Sequence, residues 1–415
     1  MKKVFIALAL MAGMGMTAKA QYQVENSDFE GDSVKCYPWE KGDNVTTAYG
    51  YTPTGWCVSN VPNTTMPLVA ENKISGYSGN GIKLKNVSVM GQTAPGYITL
   101  GTTWATAETR LTSVRNADGG CFGGISFTHH PDGIQLRYQR NISKGAEKCS
   151  LVAYLWKGKW TQKDVPSNTA IGVLSWGTAT KVTMTNRDRN ILGKETITGG
   201  TISKSEGAEL IANIESYKSE ATNGWETWTA DFDYKTNSVP EQLNIIISAT
   251  DYFADRSGIK SGNYIMIDDV TLLYYSELAT ATYKGDAISP VADGTITIED
   301  CYDADELLLT SNGRGASIER SYDEGSAQLT ITVKGEDCKD DGSFGADLTN
   351  YHTYTIQFAK RGDVNGDGEV TIADVTALVN IILGKAASKA VADVNGDGDV
   401  TIADVTALVN IILGK

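Results

Sequence analysis

Oxygen-bearing side chains recur near the C-terminus at a spacing suited to a hard cation. Asp363, Asn365, Asp367, Thr371 and Asp374 occupy positions 1, 3, 5, 9 and 12 of a twelve-residue string. Asp393, Asn395, Asp397, Thr401 and Asp404 repeat them 30 residues later. Position 7, filled by Glu369 and Asp399, ligates through its backbone carbonyl, and position 9 through water. Gly368 and Gly398 stand where the loop turns sharply. Many oxygen ligands in flexible geometry favour Ca²⁺ over the smaller, strictly octahedral Mg²⁺. Position 12 is Asp in both copies, so it must reach the ion on a shorter side chain than the usual Glu. Residues 361–415 carry eight acidic and four basic side chains, a charge of −4 that two Ca²⁺ would neutralise. Empty, such carboxylates repel, so folding of the tail is expected to depend on metal.

A helix must follow each loop. Val375, Leu378, Val379 and Ile382 fall at the offsets of one helical face, and Gly384 is a stop signal. Residues 353–359 read as a strand, so each copy is loop–helix with no helix before it. Val370 and Val400 are placed to pair the loops back to back. Residues 370–385 recur letter for letter as 400–415. This paired, EF-hand-like loop–helix pattern over residues 361–415 resembles the type I dockerin family. The resemblance implies an all-α module that binds two Ca²⁺ and docks onto a cohesin-like scaffold module. It assigns partner choice to loop positions 10 and 11, here Ile372, Ala373, Ile402 and Ala403. The near-identity of the halves implies docking in either of two orientations. The competing reading is a Ca²⁺-stabilised tail, without a partner, on a structural surface protein.

Lys2 and Lys3, the apolar run 4–16 and Ala18-Lys19-Ala20 read as a secretory signal peptide over residues 1–20. No later stretch is long and apolar enough for membrane insertion. The formal charge is −14, or −17 once Lys2, Lys3 and Lys19 are removed. That disfavours nucleic acid and anionic membranes as partners. The expected location is outside the cytoplasm: secreted, periplasmic or at the cell surface. Six cysteines in an exported chain predict disulfides. Cys301 with Cys338 is the expected pair in a separate domain. Cys36, Cys57, Cys121 and Cys149 allow three connectivities, with Cys36–Cys57 and Cys121–Cys149 preferred.

The elements that carry the rest of the chain are short strands. Over residues 21–275, strand-like runs at 96–101, 134–139, 151–156, 181–185, 243–249 and 264–275 are separated by Gly, Asn, Asp, Ser and Pro. Only 207–220 reads as helical. Such a pattern predicts a β-sandwich or jelly roll. The opening Glu25-Asn-Ser-Asp-Phe-Glu30 and closing Asp268-Asp-Val270 resemble the first and last strands of carbohydrate-binding jelly rolls. Residues 121–131, with Leu136-Arg-Tyr-Gln139, are similar to the carbohydrate metabolism domain of exported polysaccharide degraders. The resemblance implies a structural Ca²⁺ shared by Glu30 and Asp269. It also implies a glycan theme without fixing a reaction.

All eight tryptophans fall in this region. Aromatic faces stack on sugar rings, although most buried Trp is simply core. Even spacing nominates Tyr154, Trp156 and Trp160 as a carbohydrate platform, unless Lys157-Gly-Lys159 is a turn. A glycosidase would need two facing carboxyls. Asp231 and Asp233 are the pair considered, with Glu226 and Asp251 scattered nearby. His129 and His130 are weighed as metal ligands or a base against a simple turn beside Pro131. No Ser-His-Asp signature, phosphate loop or HExxH motif is present.

After Tyr275 tryptophan disappears, and runs at 295–299, 306–310, 327–333 and 353–358 predict a small β domain. Its closing strand resembles that of Ig-like spacers in exported polysaccharide-degrading proteins. The expectation is a mainly β, multidomain chain: a jelly roll over 21–275, an Ig-like β-sandwich over 276–360 and the tail over 361–415. Its expected function is to bind polysaccharide and dock to a scaffold. A glycoside hydrolase with the same tail is the enzymatic rival.

Overall fold

A computed structural model describes residues 21–35, 51–60, 70–89, 91–110, 113–167, 180–185, 201–254 and 258–415. The expected signal peptide, Cys36, Trp39 and Trp176 fall outside these, as do the side chains of Trp104 and Trp160. The chain is mainly β, with two α-helices among the described residues, both in the tail. It divides into two compact units. The first comprises Met1–Thr128, Ile134–Leu272 and Asp340–Ala346, and the second His129–Gly133, Leu273–Lys339 and Asp347–Lys415.

The first unit is built on two antiparallel sheets. One runs Asp233–Tyr234, Thr201–Lys218, Cys149–Ser167, Gln242–Ser248, Tyr97–Thr99, Cys57–Val58, with Ile125–Ser126 and Thr180–Thr185 attached. The other runs Glu226–Asp231, Gly133–Asn141, Tyr264–Leu273, Asn80–Lys85, Ala70–Ser75. In the five-stranded sheet, apolar residues alternate with polar ones. Ile134, Leu136 and Tyr138 are buried, as are Ile82, Leu84, Ile265 and Ile267, while the residues between face outward. Tyr138 packs on Trp228 with ring centroids 5.4 Å apart, and the Trp228 indole donates to Ser216 Oγ at 2.9 Å.

The eight-stranded sheet differs, because residues 151–156 are buried without alternation. Apolar groups therefore cover both of its faces. Tyr97, Cys121, Val152, Tyr154, Trp156, Ile246 and Tyr252 form one cluster on a single side. The Tyr97 hydroxyl donates to Gly120 O at 2.7 Å, and the Cys121 amide donates to Tyr252 Oη at 3.0 Å. These contacts fasten Thr102–Phe122 and the Tyr252 turn over the sheet.

The helix expected over 207–220 is instead the end of the strand Thr201–Lys218. Its residues pair along Cys149–Lys163, so a neighbouring strand outweighs the helical propensity of Ala, Glu and Leu. Lys157-Gly-Lys159 is a register irregularity inside a continuous strand, with Gly158 at φ +69°.

The second unit contains a three-stranded sheet (Asp286–Ala287, Leu278–Tyr283, Leu307–Ser311) and a four-stranded one (Thr295–Ile298, Tyr351–Phe358, Gln328–Lys334, Ser317–Asp323). Leu329, Ile331, Val333, Tyr354, Ile356 and Phe358 are buried between them with Tyr283 and Leu307. That core, rather than a staple, holds the unit. Contrary to expectation, Cys301 and Cys338 are not joined, and neither Cys57, Cys121 nor Cys149 is disulfide-bonded. The reason is local: Cys301 is buried beside Tyr283, whereas the Cys338 thiol is directed at Leu348 O, 3.6 Å away.

The tail adds α1 (Ile372–Ile382) and α2 (Ile402–Ile412), each opened by a calcium-type loop. Leu378, Leu408, Val364, Ala392 and Val394 are buried between them, with Val370, Val400, Val375 and Ile381 packed alongside. Val370 and Val400 thus share one core. The apolar stripe of α1 passes through Val375, Leu378 and Ile381, while Ile382 is 36% exposed. Both helices end as the glycine stop predicts. Gly384 and Gly414 adopt φ +68° and +65°, and the Lys385 and Lys415 amides reach back to Asn380 O and Asn410 O.

Candidate metal centre

The loop carboxylates are oriented by backbone amides. Asp363 accepts from Gly366 N at 2.8 Å, Asp367 N at 3.1 Å and Gly368 N at 2.9 Å. Asn365 Oδ1 accepts from Asp367 N, and Asp367 Oδ1 accepts from Glu369 N. Asp374 is fully buried; it accepts from Asn365 N at 3.0 Å and Thr371 N at 2.8 Å. Carboxylate oxygens of Asp363, Asp367 and Asp374 lie within 4.8 Å of one another. This is the grouping that a hard dication requires, so the residues fit Ca²⁺.

The second loop repeats the wiring. Asp393 accepts from Gly396 N at 2.8 Å and Gly398 N at 3.0 Å, and Asp404 from Val394 N, Asn395 N and Thr401 N at 2.8, 3.0 and 2.8 Å. Burial raises the Asp404 carboxyl, but the three amides outweigh it and hold it below the usual carboxylate value. Asn395 and Asp397 bond to each other as Asn365 and Asp367 do.

Thr371 and Thr401, expected only as position-9 ligands, also cap the helices. Their hydroxyls accept from Ala373 N and Ala403 N at 3.2 Å, and Asp374 and Asp404 complete capping boxes. The signal was legible, because Thr-Ile-Ala-Asp has the capping-box spacing. Arg361 was not foreseen; its guanidinium donates to Asp393 O at 3.1 Å and ties the start of the tail to the second loop.

The residues expected to face a partner are on the surface. Ile372 is 70% and Ile402 71% exposed, with Ala373 and Ala403 exposed beside them.

The sites expected in the first unit fare differently. Tyr154 and Trp156 are each 1% exposed, so neither can present a ring to a sugar. They pack against each other, with centroids 4.9 Å apart, in a cluster with Tyr97, Cys121 and Tyr252. The alternation that put them on one face is real, but the chain itself covers that face. Trp160 has no described side chain.

The Glu30 carboxylate accepts from the Asn80 amide at 2.5 Å and its side-chain nitrogen at 2.6 Å. Asp268, not Asp269, is the fully buried acid of the closing strand. It accepts from Tyr77 N, Ser78 N and Asp269 N. The Asp269 carboxyl is raised by burial, relieved by Arg137 and raised further by Asp28 and Glu30.

Asp231 and Asp233 lie on strands of different sheets, with the buried Phe232 between them, and Asp233 pairs with Lys235. They do not share the one strand expected of them. His129 and His130 hold a carboxylate in the second unit: Glu336 contacts His129 Nδ1 at 3.2 Å and accepts from His130 N at 2.7 Å. Burial works against the Glu336 charge, yet these bonds hold its carboxyl down at about 2.

Residues 361–413 match the dockerin type I domain. No curated protein matches the chain. Among solved structures, the chain is similar to a protein from Bacteroides thetaiotaomicron provisionally designated a glycoside hydrolase (14% identity, 60% of this chain and 71% of that one, TM-score 0.34). It is also similar to the family 11 carbohydrate-binding module of Clostridium thermocellum (10% identity, 59% and 96%, TM-score 0.20). A third is the CBM22-2 xylan-binding domain of Paenibacillus barcinonensis Xyn10C (8% identity, 53% and 93%, TM-score 0.21). Among the described residues, no helix is long and apolar enough to cross a membrane.

Proposed function

We propose that this is an exported three-module protein that binds polysaccharide through residues 21–275 and docks to a cohesin-type scaffold module through its tail, with residues 276–360 as a spacer. The observation that carries the docking half is the tail itself. Each of two carboxylate-lined loops opens a capped helix whose first residues, Ile372-Ala373 or Ile402-Ala403, are exposed and apolar. Exposed isoleucines at matching positions are poor solvent surface and good contact surface. Ca²⁺ would fix the loops and so set the direction of each helix. The glycan half is supported by the resemblance of the opening and closing strands and by the acidic balance of the chain, which suits an uncharged ligand.

The test is binding of the full chain to an immobilised panel of type I cohesin modules. Retention in Ca²⁺ and release by EGTA are expected. Because the halves are equivalent, Ile372→Asp alone or Ile402→Asp alone should leave binding within about threefold, whereas the double variant should lose it. Failure to bind any cohesin with Ca²⁺ bound, or loss from one substitution alone, would contradict the docking scheme.

A further inference from the structure

The covered face around Trp156 leaves open where a glycan would sit, and the outward side of the five-stranded sheet supplies a place. Tyr77 lies in the turn between Ala70–Ser75 and Asn80–Lys85 and is 50% exposed. Its ring meets the half-buried Trp225 nearly edge-on, with centroids 6.3 Å apart. The Arg137 guanidinium lies over the Tyr77 ring, 4.4 Å from its centroid, and donates to Thr227 Oγ1. Thr229 and Gln135 continue the polar row, hydrogen-bonded at 3.3 Å. Asp269 lies within the electrostatic reach of Arg137, Asp28 and Glu30.

The turn that presents Tyr77 is fastened from below. The buried Asp268 carboxylate accepts from Tyr77 N at 2.8 Å and Ser78 N at 3.0 Å, and Glu30 grips Asn80. Gly76 and Gly79 let the backbone seat there. A Cβ on Gly76 would stand 2.5 Å from Asp268 Oδ2, and one on Gly79, at φ +64°, 2.0 Å from Glu30 Oε1. An exposed aromatic on a turn anchored by two carboxylates is held in place before any ligand arrives, which lowers the entropic cost of binding.

We propose that Tyr77, Trp225 and Arg137, with Thr227, form the binding site for a neutral glycan; this rests on the reading that the first unit binds carbohydrate. Trp225 and the exposed side of Tyr77 offer apolar surface to sugar C–H groups, and the guanidinium stacked on the Tyr77 ring donates to hydroxyls. Trp, Tyr and Arg are also the side chains that dominate binding hot spots. The formal charge of −14 on the chain favours a neutral sugar over uronic acids and other anionic ones.

The test is affinity electrophoresis of the full chain with Ca²⁺ in native gels containing mixed-linkage β-glucan, xylan, galactomannan or polygalacturonate. The wild type should be retarded by at least one neutral polymer. Trp225→Ala and Tyr77→Leu, each with an unchanged melting temperature, should weaken that retardation about tenfold. Tyr77→Leu keeps bulk in the turn and guards against a folding artefact of the tryptophan variant. Retardation undiminished in both variants would overturn this site while leaving the carbohydrate reading in place. Retardation by polygalacturonate alone would overturn the neutral class. No retardation of the wild type by any polymer would remove the reading itself.

Discussion

Asp337, in the second unit, is 5% exposed. Burial pushes its carboxyl up to about 6, the Asn350 amide at 2.6 Å only partly relieves it, and Asp347 and Glu336 add repulsion. Its folded value lies above its unfolded one, so the protonated form is favoured in the folded state. The stability it contributes is present in full below about pH 4 and is lost as pH rises through about 6. Asp337→Asn imitates the protonated form. It should raise stability at pH 7 by up to about 3 kcal/mol and make little difference at pH 4, as read from urea unfolding at both pH values. An equal effect at both would exclude a charge-burial origin. Residue-scale roles were partly legible. The grouping of Asp363, Asp367 and Asp374 follows from oxygen types at fixed intervals, and the threonine caps from a four-residue string. The burial of Tyr154 and Trp156 was not, since parity along a strand says which residues share a face but not what covers it.

At the scale of elements, Asp374 and Asp404 link loop to helix. Each accepts from amides at the start of its loop and at its helix cap, so one carboxylate closes the loop and orients the first helical turn. Asp374→Ala leaves the Asn365 and Thr371 amides without that acceptor. It should cost the tail about 2–3 kcal/mol and weaken Ca²⁺ binding at the first loop only. Calcium titration calorimetry would then show one tight site in place of two; two unchanged sites would contradict the assignment. The strands Gly133–Asn141, Gln242–Ser248, Tyr264–Leu273, Gln328–Lys334 and Tyr351–Phe358 were readable from their apolar runs, whereas Ala70–Ser75, Asn80–Lys85, Thr102–Arg110, Ser113–Phe122 and Glu226–Asp231 were not. The segment 207–220 was not, because Ala, Glu and Leu speak for helix while the long edge of Cys149–Ser167 demands a partner, and pairing across 50 or more residues is invisible to local propensity.

At the scale of the whole molecule, the mainly β body and the helical tail were both expected, and the dockerin match falls where the repeat placed it. The disulfide framework failed because cysteine parity and export context carry no distances. In the structure, Cys301 is spent beside an aromatic core large enough to need no staple. The platform failed for a related reason, since Tyr97, Cys121 and Tyr252, distant in sequence, pack on Tyr154 and Trp156 over the face that strand parity had opened. The proposed function assigns glycan binding to the first unit and Ca²⁺-dependent docking to the tail.

Binding without hydrolysis is tested by incubating the purified full chain, with Ca²⁺, on a broad panel of polysaccharides and measuring retention and reducing-end release together. Retention on at least one neutral polymer without release of reducing ends is expected. Release that disappears when one acid is changed, Asp231→Asn for instance, would contradict it and make the chain a hydrolase.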